Sequence, residues 1–338
     1  MGKTTSLLLI GFLAGIFAAT AGFSFLLRYK PAANESSSAM VLKLGHSLNT
    51  SHPVHKSIEK MKSRLEELSG GTITIDIYPS SVLGSEEQCI EQLQNGSLAM
   101  TKTSAGALEG FVPEMAVFGL PYLFRDEAHC WSVLEGEIGQ SLLEKGESKY
   151  LRGLCYYDAG SRNFYTKNQP INSPKDLEKM KIRVMNSATA MDMVEAFGAS
   201  PAPIAWGELY SALAQGTVDG AENNLPSFTS NKHYEICKHF VLDAHSRVPD
   251  VLLIGTRTWN RLSEQQQGWL IQSAQESAVF QRGLWADETR QARKLAEAEG
   301  VTIYEVDGSE FAAKVKPMLD QVEDEVIKKL LTEIKGTE

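Results

Sequence analysis

A short apolar segment with an arginine in its middle is the part of this sequence that most directly suggests chemistry. Residues 181–186, KIRVMN, have the pattern of a buried strand in which Ile182 and Val184 point to one face and Arg183 to the other. A guanidinium inside a strand is costly unless an anion meets it, and its planar fork fits a carboxylate. The segment therefore predicts either a binding site for a carboxylate or a salt bridge between Arg183 and a neighbouring Asp or Glu.

The patterns of several common catalytic sites are missing. The sequence has no G-x-S-x-G turn, no H-E-x-x-H zinc motif and no glycine-rich dinucleotide loop. His52 and His55 lie three residues apart, downstream of His46, and we interpret them as exposed polar residues rather than as a metal site. We therefore expect a binding protein without catalytic residues, cofactor or metal.

The first 30 residues have the composition of an export segment. A basic start is followed by an uncharged run over residues 5–27, with an A-x-A-like cleavage pattern at Ala19 to Ala21. The run continues beyond that pattern and is long enough to span a bilayer. We expect a cleaved signal peptide, with an uncleaved membrane anchor as the alternative, and then a polar linker in residues 31–40.

The rest of the chain is acidic. Residues 1–30 hold three of the 33 Lys and Arg and none of the 42 Asp and Glu, so the remainder carries a formal charge of −12. That balance argues against nucleic acid or an anionic membrane surface as a partner. An anionic ligand would have to be captured by a local arginine site.

The four cysteines are scattered, and no C-x-x-C pair is present. Their spacing does not fit a metal site. In an oxidising compartment one pair could form a disulfide, and the alternative is that all four are buried free thiols.

The elements that must position Arg183 alternate between strand and helix. Beside the segment at 181–184, periodicity and turn residues predict strands at 41–46, 72–78, 99–103, 151–157, 163–166, 201–205, 218–223, 240–244, 251–254 and 302–306. Helices are predicted at 52–68, 85–93, from 173, and at 188–197, 208–215, 263–299 (one helix or two joined) and 311–334. This alternation predicts α/β lobes with mixed or parallel sheets.

Six segments, in this order and spacing, resemble the DctP-type solute-binding proteins of TRAP (tripartite ATP-independent periplasmic) transporters. They are YPSSVLG at 78–84, LPYLF at 120–124, INSPKDL at 171–177, KIRV at 181–184, ELYSAL at 208–213 and VDGAEN at 218–223. Each segment alone is a weak signal, but together they extend the resemblance from Val41 to the C-terminus.

The resemblance implies an α/β protein of two lobes, joined by crossing segments and spanned by one long helix, that close by hinge bending over a ligand in the cleft. We expect residues 41–159 with about 249–288 in lobe I, and 160–248 with about 289–338 in lobe II. The family resemblance also implies a periplasmic location in a bacterium, a monomer, and a small organic acid that is passed to the two membrane subunits of a permease.

The resemblance also assigns roles to single residues. Arg183 matches the family's carboxylate-binding arginine, and Arg162 matches a second arginine of the cleft. Asn223 matches an asparagine that binds the polar end of the ligand, and Trp206 takes the place of an aromatic residue that packs on it. Glu86 occupies a position of polar contacts in some members.

Asn186 occupies another such position, and His46 is expected to complete the wall formed by the first lobe. Three alternatives stay open from the residues themselves. Trp206 could be a core residue, Glu86 could only cap its helix, and Arg162 could pair with Asp158 instead of a ligand.

The candidate cleft is rich in groups that recognise hydroxyls. Trp206 suits the apolar face of a sugar ring, and residues 222–228 resemble members that bind sugar acids. We therefore expect a hexuronic acid, glucuronate or galacturonate, with a C4-dicarboxylate or sialic acid as alternatives. From a different class, the alternative is a secreted hydrolase acting on a carboxylated sugar. The hydroxyl-recognising candidates are Glu86, Asn186, Asn223, Asn224, His46 and Asn49.

Overall fold

The computed structural model describes residues 39–338. The predicted export segment, residues 1–30, and residues 31–38 of the predicted linker lie outside this range. Within residues 39–338, no helix combines the length and hydropathy needed to cross a membrane. The strands are β1 Met40–Gly45, β2 Ile73–Tyr78, β3 Met100–Ser104, β4 Leu151–Tyr157, β5 Asn163–Thr166, β6 Lys181–Val184, β7 Ser200–Pro203, β8 Gly220–Asn223, β9 His239–Leu242, β10 Asp250–Gly255 and β11 Thr302–Glu305.

Helices alternate with these strands along most of the chain. Short 3-10 helices occupy Pro113–Gly119, Glu147–Lys149, Pro174–Leu177, Trp206–Glu208 and His233–Glu235. The α-helices are α1 Pro53–Leu68, α2 Glu86–Asn95, α3 Ala105–Leu108, α4 Glu127–Glu135, α5 Glu137–Glu144, α6 Ala188–Ala196, α7 Leu209–Gln215, α8 Leu225–Ser230, α9 Thr256–Trp259, α10 Glu264–Ala298, α11 Gly308–Asp320 and α12 Glu325–Gly336.

The strands form two mixed sheets, which confirms the predicted two-lobed α/β class. The five-stranded sheet has the order β2-β1-β3-β10-β4, and the six-stranded sheet has the order β11-β9-β5-β8-β6-β7. In the first sheet, β10 runs antiparallel to both β3 and β4. In the second sheet, β6 lies parallel to β7 and β8, so Arg183 is opposite Ala202 and Ala221.

Three connections link the two sheets. The chain passes from β4 to β5, returns from β9 to β10, and crosses again through α10 before β11. The 35-residue helix α10 is continuous, and Ser263 starts it with a capping box. It contacts α1 and β4 at the first sheet and α8 at the second. The predicted long helix spanning both lobes is therefore confirmed.

The prediction of a single helix at 311–334 is wrong, because this segment forms two helices, α11 and α12. Asp324 starts α12 by accepting hydrogen bonds from the backbone N–H groups of Val326 and Ile327. The two helices also bury different cores. Phe311 of α11 packs with the core of the six-stranded sheet, whereas Ile334 of α12 packs with that of the five-stranded sheet. A break in the helix lets one segment serve both cores.

All four cysteines are buried free thiols, which decides between the two alternatives left by the sequence. Burial raises the pKa of Cys89 to about 11 and those of Cys130 and Cys237 to about 12. Burial also raises the pKa of Cys155 well above its usual range.

Candidate ligand-binding site

A cavity lies between the two sheets and takes its lining from both. Five of the seven residues that the sequence predicts for the site line it: Glu86 from the first sheet's side, and Arg162, Arg183, Trp206 and Asn223 from the second. The other lining residues are Ser47, Leu48, His52, Lys102, Ser104, Ala159, Met185, Asn224, Ser227 and Asp250.

Arg183 is buried on this cavity without a carboxylate partner among residues 39–338. Its side chain leaves the second sheet from β6, the neighbour of the edge strand β7, and the residue is 3% exposed. Its Nε donates a hydrogen bond to the Ile204 carbonyl at 2.8 Å, and no described Asp or Glu forms a salt bridge with it. Burial lowers the pKa of the guanidinium from its ordinary value.

Arg162, in contrast, is fully neutralised by the protein. Its Nε and Nη2 donate to the two carboxylate oxygens of Glu222 in a bidentate pair. Against the effect of burial, Arg162 and His245 lower the pKa of Glu222 to about 2. His245 in turn donates to Asp243 at 2.7 Å, and this carboxylate raises the pKa of His245 to about 9 although burial opposes it. The result is a buried chain of alternating charges behind the cavity wall.

The alternative prediction, that Arg162 pairs with Asp158, was wrong. Asp158 forms its ion pair with Arg247 instead, at 3.4 Å. The pairing with Glu222 follows from the sheet, because β5 and β8 are antiparallel neighbours and Arg162 directly precedes β5.

A second charged group lies on the wall formed by the first sheet. The ammonium of Lys102, on β3, lies 3.0 Å from Asp250 and 3.2 Å from Glu86. Burial works against the charge of this lysine, but the two carboxylates raise its pKa above the ordinary value. Burial and the nearby Glu86 raise the pKa of Asp250 to about 6, although Lys102 opposes this. Glu86 also accepts a hydrogen bond from Ser47, so it does more than cap its helix.

The three buried Lys and Arg side chains of residues 39–338 therefore differ in one respect. Lys102 and Arg162 are paired with carboxylates of the protein, and Arg183 is not. An uncompensated buried charge is unfavourable by several kcal/mol. This arrangement is explained if the partner of Arg183 is the carboxylate of a ligand, and it argues against the salt-bridge alternative.

Trp206 and Asn223 lie beside the two arginines. The guanidinium carbon of Arg183 is 5.6 Å from the centre of the Trp206 ring, within cation–π range. The indole Nε1 is buried and has no hydrogen-bond partner among the described residues. Asn223 uses its Oδ1 to accept from Nη1 of Arg162 at 3.3 Å and from the Asn224 backbone at 2.8 Å. Its Nδ2 group is therefore the part that can donate to a ligand.

His46 and Asn186 do not line the cavity. Asn186 is exposed, and Met185 takes the place beside Arg183, as the period of two along a strand requires. His46 is buried and its Nε2 is 3.0 Å from Nδ1 of His55. The interpretation of His52 and His55 as exposed residues was wrong, because both are buried and His52 bonds Ser227 at 3.2 Å.

Lys102, Asp250 and His52 line the cavity but were absent from the predicted site. The signal for Lys102 was present in the sequence. It is a cation in the middle of a predicted strand at 99–103, the same feature that singled out Arg183. Asp250 and His52 are brought to the cavity by sheet pairing and by the start of α1, which local sequence does not reveal.

The family model and the solved structures that resemble this chain point to the same family. The DctP family model, described as bacterial extracellular solute-binding protein, family 7, matches residues 44–325. A solved TRAP periplasmic solute-binding protein from Xanthobacter autotrophicus Py2, with bound β-D-galacturonate, is 36% identical, with a TM-score of 0.85 and coverage of 88% of this chain and 100% of that one.

Two further similar solved structures are also TRAP periplasmic solute-binding proteins. The protein from Roseobacter denitrificans, with bound β-D-glucuronate, is 34% identical, with a TM-score of 0.85 and coverage of 88% and 100% of the two chains. The protein from Polaromonas sp. JS666, with bound D-erythronate, is 33% identical, with a TM-score of 0.86 and coverage of 88% and 99%. This chain therefore belongs to the DctP family of bacterial extracellular solute-binding proteins, as its sequence indicated.

Proposed function

We propose that this protein is the receptor of a TRAP transporter and that it binds a hexuronate, such as galacturonate or glucuronate, between its two sheets. The observation that carries the proposal is the buried guanidinium of Arg183, which faces the cavity without a carboxylate partner in residues 39–338. A ligand carboxylate would supply two charge-assisted hydrogen bonds to its free Nη1 and Nη2 groups. The galacturonate and glucuronate bound to similar proteins support the choice of acid.

The rest of the lining favours a polyhydroxy acid over a plain dicarboxylate. Glu86, Asp250 and the Nδ2 group of Asn223 can each bond a hydroxyl, and buried polar groups need such partners when the ligand is enclosed. Trp206 offers a flat apolar surface beside Arg183, which fits the face of a sugar ring. A C4-dicarboxylate such as succinate provides no hydroxyl groups for these contacts.

The proposal includes the role and place of the protein. We infer a non-enzymatic receptor that acts as a monomer in the periplasm and delivers its ligand to the two membrane subunits of the transporter. Membership in the DctP family and the uncharged run of residues 5–27 support this inference. Uptake of labelled galacturonate by cells with and without the gene, and light scattering of the purified protein, test the transport role and the monomer.

Calorimetric titration of the purified protein tests the ligand. Galacturonate and glucuronate should bind, whereas the methyl ester of galacturonate, which keeps the ring but has no charge, should bind at least ~100-fold more weakly, about 2.7 kcal/mol. At 100 times its dissociation constant the acid should also raise the stability of the protein by about 2.7 kcal/mol.

Succinate and sialate complete the ligand set. Tight binding of either, with none of the two uronates, would replace the proposed ligand but keep the receptor role. Proton NMR of the protein incubated with methyl glucuronide should show an unchanged compound, and release of methanol and free glucuronate would instead favour the hydrolase alternative.

A further inference from the structure

The two walls of the cavity differ in the net charge that they present to a ligand. The second sheet's wall provides one uncompensated cation, Arg183, because Arg162 is matched by Glu222. The first sheet's wall provides the Lys102 cluster, which consists of Lys102, Glu86 and Asp250. In this cluster one ammonium is paired with two carboxylates, so the wall has a net negative charge.

The Lys102 cluster is held in place by the fold. Lys102 and Asp250 lie on the neighbouring strands β3 and β10, where Leu252 is opposite Lys102 and Ser104 is opposite Asp250. Lys102 is 2% exposed and Asp250 is 7% exposed, so solvent screens their charges weakly.

We propose that the Lys102 cluster is a charge filter that admits sugar acids with one carboxylate and rejects sugar diacids of the same chain length. This inference rests on the proposed function. A monocarboxylate places its charge on Arg183, and its hydroxyls can donate to Glu86 and Asp250. The second carboxylate of a diacid would meet these two carboxylates instead. No uncompensated Lys or Arg remains for it among the described lining residues.

Like charges brought together in a buried site reduce affinity strongly. We expect galactarate, which carries a carboxylate at each end, to bind at least ~100-fold more weakly than galacturonate, which corresponds to about 2.7 kcal/mol. The two ligands also differ in shape, because galactarate is an open chain. A variant that changes only the charge of the wall is therefore needed to separate the two effects.

The test is the ratio of the two dissociation constants, measured by calorimetry in wild type, Asp250→Asn and Glu86→Gln. Each variant removes one negative charge and keeps the size of the side chain, and two variants guard against one that does not fold. Because the shape difference is the same in all three proteins, a change in the ratio reports the charge. We expect the preference for galacturonate to shrink at least tenfold in either variant.

Glu109→Gln is the matched control, since Glu109 is a buried carboxylate that does not line the cavity. It should leave the ratio unchanged. Wild-type protein that binds galactarate within tenfold of galacturonate overturns the filter, and so does a ratio that stays at the wild-type value in the folded cluster variants. Failure of wild type to bind any uronate counts instead against the proposed function.

Discussion

Replacing Arg183 by methionine should remove tight binding of the acid and leave the stability of the ligand-free protein nearly unchanged. Methionine fills a similar volume without the charge. In residues 39–338 the side chain of Arg183 has one hydrogen bond, to a carbonyl, and no ion pair. The substitution therefore removes a desolvated cation that the protein itself does not compensate.

The magnitude follows from these contacts. Two hydrogen bonds between a guanidinium and a carboxylate contribute about 1.5–3 kcal/mol each. Their loss, about 3–6 kcal/mol, corresponds to an affinity lower by a factor of roughly 150 to 20,000. The free energy of unfolding should change by less than about 1 kcal/mol, because the lost hydrogen bond is offset by the removal of an uncompensated buried charge.

Arg162→Met is the matched control, because Arg162 is equally buried but paired. Its removal leaves Glu222 buried next to His245 alone, at 3.5 Å. Breaking a buried ion pair in this way costs about 3–5 kcal/mol of stability. When ligand-free protein is unfolded in urea, the loss of Arg162 should therefore be strongly destabilising and the loss of Arg183 nearly neutral.

Urea denaturation and calorimetric titration of both variants make the comparison. Binding of galacturonate by Arg183→Met within tenfold of wild type would refute the role of Arg183 as the carboxylate anchor. Equal destabilisation by the two substitutions would show that Arg183 has a structural partner in the ligand-free protein and is not an uncompensated charge.

Three further predictions concern Trp206, the buried histidines and the closure of the lobes. Trp206→Leu should weaken uronate binding by a factor of about 5–30, since it removes a ring face and a cation–π contact of about 1–2 kcal/mol; calorimetry measures this, and unchanged affinity would make Trp206 a plain core residue. Burial lowers the pKa of His46 and His233 to about 3 from 6.5, so the unfolded chain binds more protons below pH 6.5. Stability should therefore fall on acidification by up to about 1.4 kcal/mol per pH unit for each of these two histidines, partly offset by Asp250 and His245, whose pKa values are raised to about 6 and about 9. Urea midpoints between pH 7 and 5 should depend less on pH in His233→Gln, and an identical slope would contradict the argument. Small-angle scattering should show a smaller radius of gyration with saturating uronate, whereas an unchanged radius would count against lobe closure.

The strands and helices with clear periodicity were predictable from the sequence. β4 at Leu151–Tyr157 and β5 at Asn163–Thr166 have the predicted bounds, and the continuous α10 differs from its prediction by one residue at each end. The region between β3 and β4 was not predicted, although it contains α3, α4 and α5. Around the 3-10 helix Pro113–Gly119 most apolar side chains are buried. The sequence there has no regular alternation of apolar and polar residues from which a helix or strand could be predicted.

For the site, the sequence indicated which residues carry unusual chemistry but not how they pair. The cation in a strand at Arg183 was visible, while its lack of a carboxylate partner became apparent only when Lys102 and Arg162 could be seen with theirs. Glu222 reaches Arg162 across a strand pairing, and Asp250 reaches Lys102 across another. Such pairings join residues that are 60 or more positions apart in sequence, which periodicity and spacing do not reveal.

The four buried thiols have a practical consequence for measuring motion. A thiol reacts with maleimide dyes as its thiolate, and burial both shields Cys89, Cys130, Cys155 and Cys237 and raises their pKa. Cysteines introduced at exposed positions on each side of the cavity should therefore accept a fluorophore pair selectively in the native protein, without prior removal of the natural ones. The distance between the two lobes could then be followed in single molecules while the ligand concentration is varied.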